Sequence, residues 1–292
     1  MFLQIIGNFT HIPRLALALL STIAYWRVKS IWFRIGFMTK LKIASWNIAG
    51  GRKTNSTKRF DYTEREDIDY FAKELAKLEA DIICFQEVHF KDGASTAAQI
   101  AKKLAMPHVF ESNAGHPSHI DTDYQLGTAI ISRLPLTDTV ITPVPYPDFP
   151  LHLPNGEPEK ERHHRFLQTA KCQGFTIANL HTLPMHYFGF AYDQGEGKSF
   201  ARQIEDLLLA KLEQPLLFAA TLNFDDTQLI YPRLYKEFEL HEALGTLPTR
   251  PSGRSGSLRI DHVLFSPEFT LRNFGVNLTE SDHYLCWAEF EG

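Results

Sequence analysis

Six short stretches carry side chains that packing alone would not select. They are Ser45-Trp46-Asn47, Gln86-Glu87, Asn179-Leu180-His181, Thr221-Leu222-Asn223, Arg259-Ile260-Asp261-His262 and Ser281-Asp282-His283. Each ends or opens an apolar, strand-like run. Amide and carboxylate oxygens gathered from several strand ends suit a hard cation such as Mg²⁺, which binds through one or two carboxylates and shares its shell with phosphate oxygens. Strand ends also converge on one rim of a sheet, where α/β folds place their sites. Singly, each residue is ordinary: an Asn or Glu after a strand is most often a cap or turn residue. The ordered set carries the inference.

The elements that must position these groups can be read from periodicity. Residues 41–46 (LKIASW) alternate as a strand does. Thr63 to Glu66 form a capping-box pattern, and Ile68, Phe71, Leu75 and Leu78 recur at helical spacing, so a helix is expected over 64–79. A short buried strand at 81–85 completes strand, helix, strand, the opening of an α/β domain. A helix over 95–105 and strands over 127–132 and 137–144 follow. Gln173-Gly174 separates two strand-like runs, 166–172 and 175–180, as a hairpin does. A second amphipathic helix is expected over 199–212, with further strands over 216–220, 260–265 and 284–290. Hairpins mixed with helical crossovers imply mixed rather than purely parallel sheets. The Pro- and His-rich stretch 146–165 is the expected mobile insertion near a site.

Net charge is −4, and the four basic residues of the first 37 positions (Arg14, Arg27, Lys29, Arg34) have no acidic companions. The remainder is therefore acidic, which disfavours a high-affinity, non-specific binder of duplex nucleic acid. Three widely spaced cysteines, Cys84, Cys172 and Cys286, argue for buried free thiols rather than a disulfide framework. Residues 1–37 hold a mostly apolar run, 15–26, too short for a spanning helix. Its readings are a misassigned start upstream of Met38, an interfacial anchor with membrane association, or a cleaved signal. Residues 38–292 are expected as one domain, cytoplasmic and monomeric.

The order SWN, QEV, NLH, LNFDD, IDH and SDH, with GTAIISRLPL at 127–136, resembles the endonuclease/exonuclease/phosphatase superfamily over roughly 41–290. The resemblance implies a deoxyribonuclease-I-like fold, a four-layer α/β/β/α sandwich of two packed mixed β-sheets. It implies Mg²⁺ or Mn²⁺ as cofactor, with Asn47, Glu87 and Asp282 at the metal. His181 would donate to phosphoryl oxygens, Asn223 would hold the attacking water, and Asp261 would fix the charge of His283. Arg165 and Asn179 are expected to bind substrate. The partner would be a phosphoester, in nucleic acid or in a small phosphorylated molecule.

One position departs from the family. Thr221 stands where the family carries the aspartate that activates water, and a neutral hydroxyl is a poor base near pH 7. Three accounts stay open: Asp225 or Asp226 reaches in, metal-bound hydroxide acts at a lower rate, or catalysis is lost and phosphate binding kept. The expected activity is a phosphodiesterase or nuclease, with a phosphomonoesterase or a binding module as rivals. Around the site, the run Arg162 to Arg165 is a candidate phosphate contact. His186, Tyr187, Phe188 and Phe190 are a candidate aromatic lid.

Overall fold

A computed structural model describes residues 40–56, 61–159, 162–251 and 258–291, so the stretch 1–37 lies outside the described residues. The chain runs β1 (Leu41–Asn47), α1 (Ile68–Ala76), β2 (Ile82–Lys91), β3 (Ala94–Ser95), α2 (Thr96–Lys103), β4 (His108–Pro117), β5 (Gln125–Ser132) and β6 (Thr137–Pro143). It continues with β7 (Phe166–Cys172), β8 (Phe175–His181), α3 (Gly195–Lys211), β9 (Leu216–Thr221), α4 (Thr227–Ile230), α5 (Pro232–Phe238) and β10 (His241–Glu242). The last strands are β11 (Asp261–Phe265), β12 (Thr270–Asn277) and β13 (Leu285–Glu291).

One sheet has the order β12-β13-β1-β2-β5-β4, with β3 added on β2; the other runs β10-β11-β9-β8-β7-β6. Both are mixed, with β1–β2 and β8–β9 parallel and the neighbouring pairs antiparallel. Side chains alternate between the faces of a strand, and this fixes the layers. Ala44, Trp46, Ile83 and Phe85 pack outward on Phe71 and Leu75 of α1 and Ile100 of α2. On the second sheet Ala178, Leu180, Phe218 and Ala220 pack outward on Phe200, Ile204 and Leu208 of α3 and Leu234 of α5. The intervening residues face inward, so two sheets are sandwiched between two helical layers.

That parity decides where Asn179 goes. It lies between the sheets, where its amide receives a bond from Gln86 Nε2 (2.8 Å) and donates to Phe85 O (3.0 Å), Ala129 O (3.1 Å) and Gln168 Oε1 (3.0 Å). The expectation that Asn179 binds substrate is therefore corrected: it is a fully buried tie between the sheets. The three cysteines are buried free thiols.

The first helix is shorter than its periodicity suggests. Asp67 is the N-cap, accepting from Tyr70 N at 3.0 Å, while Thr63 is held by Lys53 O in a loop closed by the Thr54–Tyr62 bridge. The capping-box reading of Thr63–Glu66 fails because that loop claims Thr63. The part 146–159 of the stretch expected to be mobile is anchored rather than loose: Leu151 is buried in the core, His152 bridges Pro158, and Phe149 meets Phe190 with ring centroids 4.7 Å apart. Among the described residues no helix is long and apolar enough to cross a membrane.

Candidate active site

The inward-facing residues at one end of the two sheets open onto a cavity of about 280 Å³. Asn47, Glu87, His181, Asn223, Asp282 and His283 all line it, together with Arg165. Register explains the convergence. Asn47 pairs with Gln86 across β1–β2, His181 with Thr221 across β8–β9, and Thr221 with Asp261 across β9–β11.

Glu87 reaches the cavity through a β-bulge. Between Phe85↔Ala129 and Val88↔Gly127 two residues, Gln86 and Glu87, oppose the single Thr128, and Glu87 takes φ 53°. A bulge re-aims one side chain without breaking the sheet. Gln86 stays inside on Asn179, while Glu87 turns to the rim. Asn223 is likewise left-handed (φ 62°), and its Nδ2 donates to Thr182 O at 2.8 Å, which fixes the amide and leaves Oδ1 available to the cavity. Asn47 follows the same logic on β1. Its Oδ1 accepts from Ala49 N at 3.2 Å, and its amide faces Glu87, where it helps to hold the carboxyl down.

Behind the cavity lies a buried acid–imidazole pair. His283 Nδ1 donates to both Asp261 oxygens, at 3.0 and 2.9 Å. Burial opposes charge on His283, but Asp261, with help from Asp282 and Glu87, outweighs it and raises the imidazole above its ordinary value. Burial would likewise raise the Asp261 carboxyl, yet His283, Thr221 and Thr249 together hold it low. The pair is thus poised as carboxylate and imidazolium, leaving Nε2–H free to donate. Trp46 Nε1 and Thr279 Oγ1 both donate to His283 O, at 3.0 and 2.9 Å, pinning the C-terminal turn to β1.

Thr221 does not line the cavity. Its hydroxyl donates to Asp261 Oδ1 at 2.6 Å, so it serves the acid rather than a water. The suggestion that Asp225 or Asp226 replaces the missing carboxylate is corrected. Asp225 is paired with Arg259 (2.5 Å), and Asp226 caps α4 by accepting from Leu229 N at 2.8 Å.

Several groups in the cavity gave no signal in the sequence. His119, from the β4–β5 loop, lies 3.8 Å from Glu87 Oε1, as does His181 Nε2. Burial and then Arg165 push His119 down to about 3, and the same causes hold His181 well below its ordinary value, so both rings are neutral. Tyr62 donates to Asp282 Oδ2 at 2.8 Å, and Arg250 and Leu153 complete the wall. The run Arg162 to Arg165 splits: His163 and Arg165 face the cavity and the other two do not. His186, Tyr187 and Phe188 also line it.

The donor set fits a hard cation. Burial first and the neighbouring Asp282 second raise the Glu87 carboxyl above its ordinary value, the condition of two carboxylates crowded where a cation relieves them. Among the described residues no group of three His, Cys, Asp or Glu is disposed to hold a metal. Two carboxylates with an amide beside them suit an ion that takes one or two carboxylates and completes its shell with water and substrate.

A model of the endonuclease/exonuclease/phosphatase family matches residues 44–283. The chain belongs to this family. Its members hydrolyse phosphoesters, and dependence on a divalent metal is typical of them. No curated protein sequence matches the chain. Among solved structures it is similar to an endonuclease/exonuclease/phosphatase protein from Beutenbergia cavernae, at 17% identity and TM-score 0.65, over 87% of this chain and 72% of that one. It is also similar to a mannosyl-6-phosphatase from Bacteroides thetaiotaomicron (17%, TM-score 0.55, 86% of this chain and 100% of that one). An AP endonuclease from Archaeoglobus fulgidus gives the same identity, score and coverage. At such identities the likeness establishes the deoxyribonuclease-I-like α/β/β/α fold.

Proposed function

We propose that this family member hydrolyses phosphodiesters with a divalent cation, Mg²⁺ or Mn²⁺, held by Glu87 and Asp282 with Asn47 beside them. The observation that carries the reading is the buried Asp261–His283 pair lining up behind the same cavity as the crowded Glu87 and Asp282 carboxylates. When bound, the cation supplies charge neutralisation at the phosphate. The chain's own groups do the rest. His283, held as imidazolium, donates to an equatorial phosphoryl oxygen as negative charge grows there. Neutral His181 offers a second, uncharged donor, and Arg165 adds fixed positive charge. Asn223 Oδ1 orients the water whose oxygen bonds to phosphorus as the ester P–O bond breaks; the water's proton passes to solvent, and the departing alkoxide takes a proton from solvent.

Position 221 supplies no proton acceptor in this scheme. General-base assistance contributes about 10²–10⁴-fold, so turnover is expected to be slow beside relatives with an aspartate there. A phosphomonoester is the second reading, favoured by Arg165 and Arg250 lining one small cavity, which suits a dianionic phosphate. The test is hydrolysis of bis-p-nitrophenyl phosphate and of p-nitrophenyl phosphate with Mg²⁺, Mn²⁺ or EDTA. Metal-stimulated release from the diester supports the first reading and preference for the monoester the second. No release from either, with no Mn²⁺ binding by calorimetry, sinks both.

A further inference from the structure

A second chamber, also about 280 Å³, adjoins the active-site cavity, and His186 and Asn223 line both. It lies between the 190–193 turn and α4. Phe190, Phe224, Ile230 and Leu229 supply its apolar surface, and Leu229 is 62% exposed at its mouth. Three carboxylates, Asp193, Asp225 and Asp226, form its rim, and among the described residues no lysine or arginine lines it. Arg259 pairs with Asp225.

We infer that this chamber is a subsite for one ester arm of the substrate, and that the arm is apolar and uncharged. The inference rests on the phosphodiesterase reading and adds to it the class of substrate. Continuity gives the first reason. A phosphoester bound in the active-site cavity beside Asn223 and His186, which line both spaces, can extend one substituent into the chamber. Charge gives the second. A polynucleotide continuing in that direction would bring its next phosphate against a carboxylate rim that no lysine or arginine lines among the described residues, the opposite of a nucleic-acid track. Surface chemistry gives the third, because aromatic and branched aliphatic walls gain by covering methylenes rather than sugars.

The test uses three p-nitrophenyl phosphodiesters that differ only in the second arm: methyl, hexyl and 5-carboxypentyl. Partial burial of the longer arm is worth about two methylenes, so kcat/KM for hexyl should exceed that for methyl about tenfold, with carboxypentyl near the methyl value. Leu229→Lys places a cation at the mouth on an exposed side chain and should bring carboxypentyl up towards hexyl. Ala191→Trp fills the chamber and should reduce hexyl to the methyl rate. A hexyl ester no better than methyl, or ratios untouched by both variants, overturns the subsite while leaving the phosphodiesterase reading intact. If no diester is turned over, that reading fails instead, and calorimetry with hexyl and methyl phosphate still decides the subsite. Tighter hexyl binding in the parent that is lost in Ala191→Trp upholds it, and equal binding overturns it.

Discussion

Asp261→Asn isolates the charge of the buried pair. The amide keeps the volume and still offers an oxygen to His283 Nδ1–H, so the ring stays in place while the negative charge that favours imidazolium disappears. Asp261 is 2% exposed and meets His283 at 2.9 and 3.0 Å, so little solvent screens the loss. A hydrogen bond to a charged group contributes about 1.5–3 kcal/mol, and about 1.4 kcal/mol is tenfold in rate. We expect kcat/KM to fall about 10- to 100-fold near pH 6.

The pH dependence gives a sharper readout. In the parent, His283 titrates above its ordinary 6.5, so activity that needs imidazolium persists past that value and is lost as pH rises through the raised pKa. In Asp261→Asn, burial is no longer opposed by Asp261, and the basic limb moves to lower pH. Stability follows the same signs. The His283 contribution is fully present below 6.5 and is lost above its folded pKa; the Asp261 contribution is present above 3.8 and is lost as pH falls through its lowered value. The variant should therefore lose most stability between those limits. At about 2 kcal/mol and about 2–4 °C per kcal/mol for a chain of this size, its Tm at pH 5 should drop by about 4–8 °C. A kcat/KM–pH profile whose basic limb stays in place, with Tm unchanged at pH 5, would refute the assignment of charge to this pair.

Three further substitutions test neighbouring parts. Glu87→Gln should abolish metal stimulation yet raise the metal-free Tm at pH 7, since a carboxyl whose pKa is raised by burial and Asp282 destabilises the fold while ionised; a lower Tm would contradict the crowding. Thr221→Val removes the hydroxyl bonded to Asp261 and should cost about 1 kcal/mol, read as about fivefold in kcat/KM; unaltered kinetics would mean Thr221 does not serve the acid. Asn179→Leu should leave metal-stimulated turnover per folded molecule unchanged while lowering stability by about 3 kcal/mol, because Gln86, Phe85 O and Ala129 O lose a buried partner. A selective loss of substrate affinity would restore Asn179 to the site.

The strands that carry the site were legible because apolar, strand-like runs and polar termini coincide in them, as in β1, β8 and β9. Their register then brings Asn47, His181 and Asp261 to one rim. Elements held by context were not legible. The edge strand β12 buries none of its residues fully, and β4 alternates weakly, so neither produces a clear apolar signal. Asn179 stood two residues from His181 and looked like a site amide; alternation puts both on the inner face, but only His181 lies at the open end. His119 and Tyr62 come from loops, where no period exists to place them. Thr221 was visible as a departure, but its partner, Asp261, became clear only with the β9–β11 pairing.

The most direct measurement is initial-rate hydrolysis of bis-p-nitrophenyl phosphate by the parent, Glu87→Ala and His283→Ala across a Mn²⁺ titration. The account expects saturable, metal-dependent release in the parent, loss of the metal response in Glu87→Ala, and at least about tenfold lower kcat in His283→Ala with Mn²⁺ binding retained. Equal, metal-independent rates in all three would place the chemistry elsewhere and contradict the account.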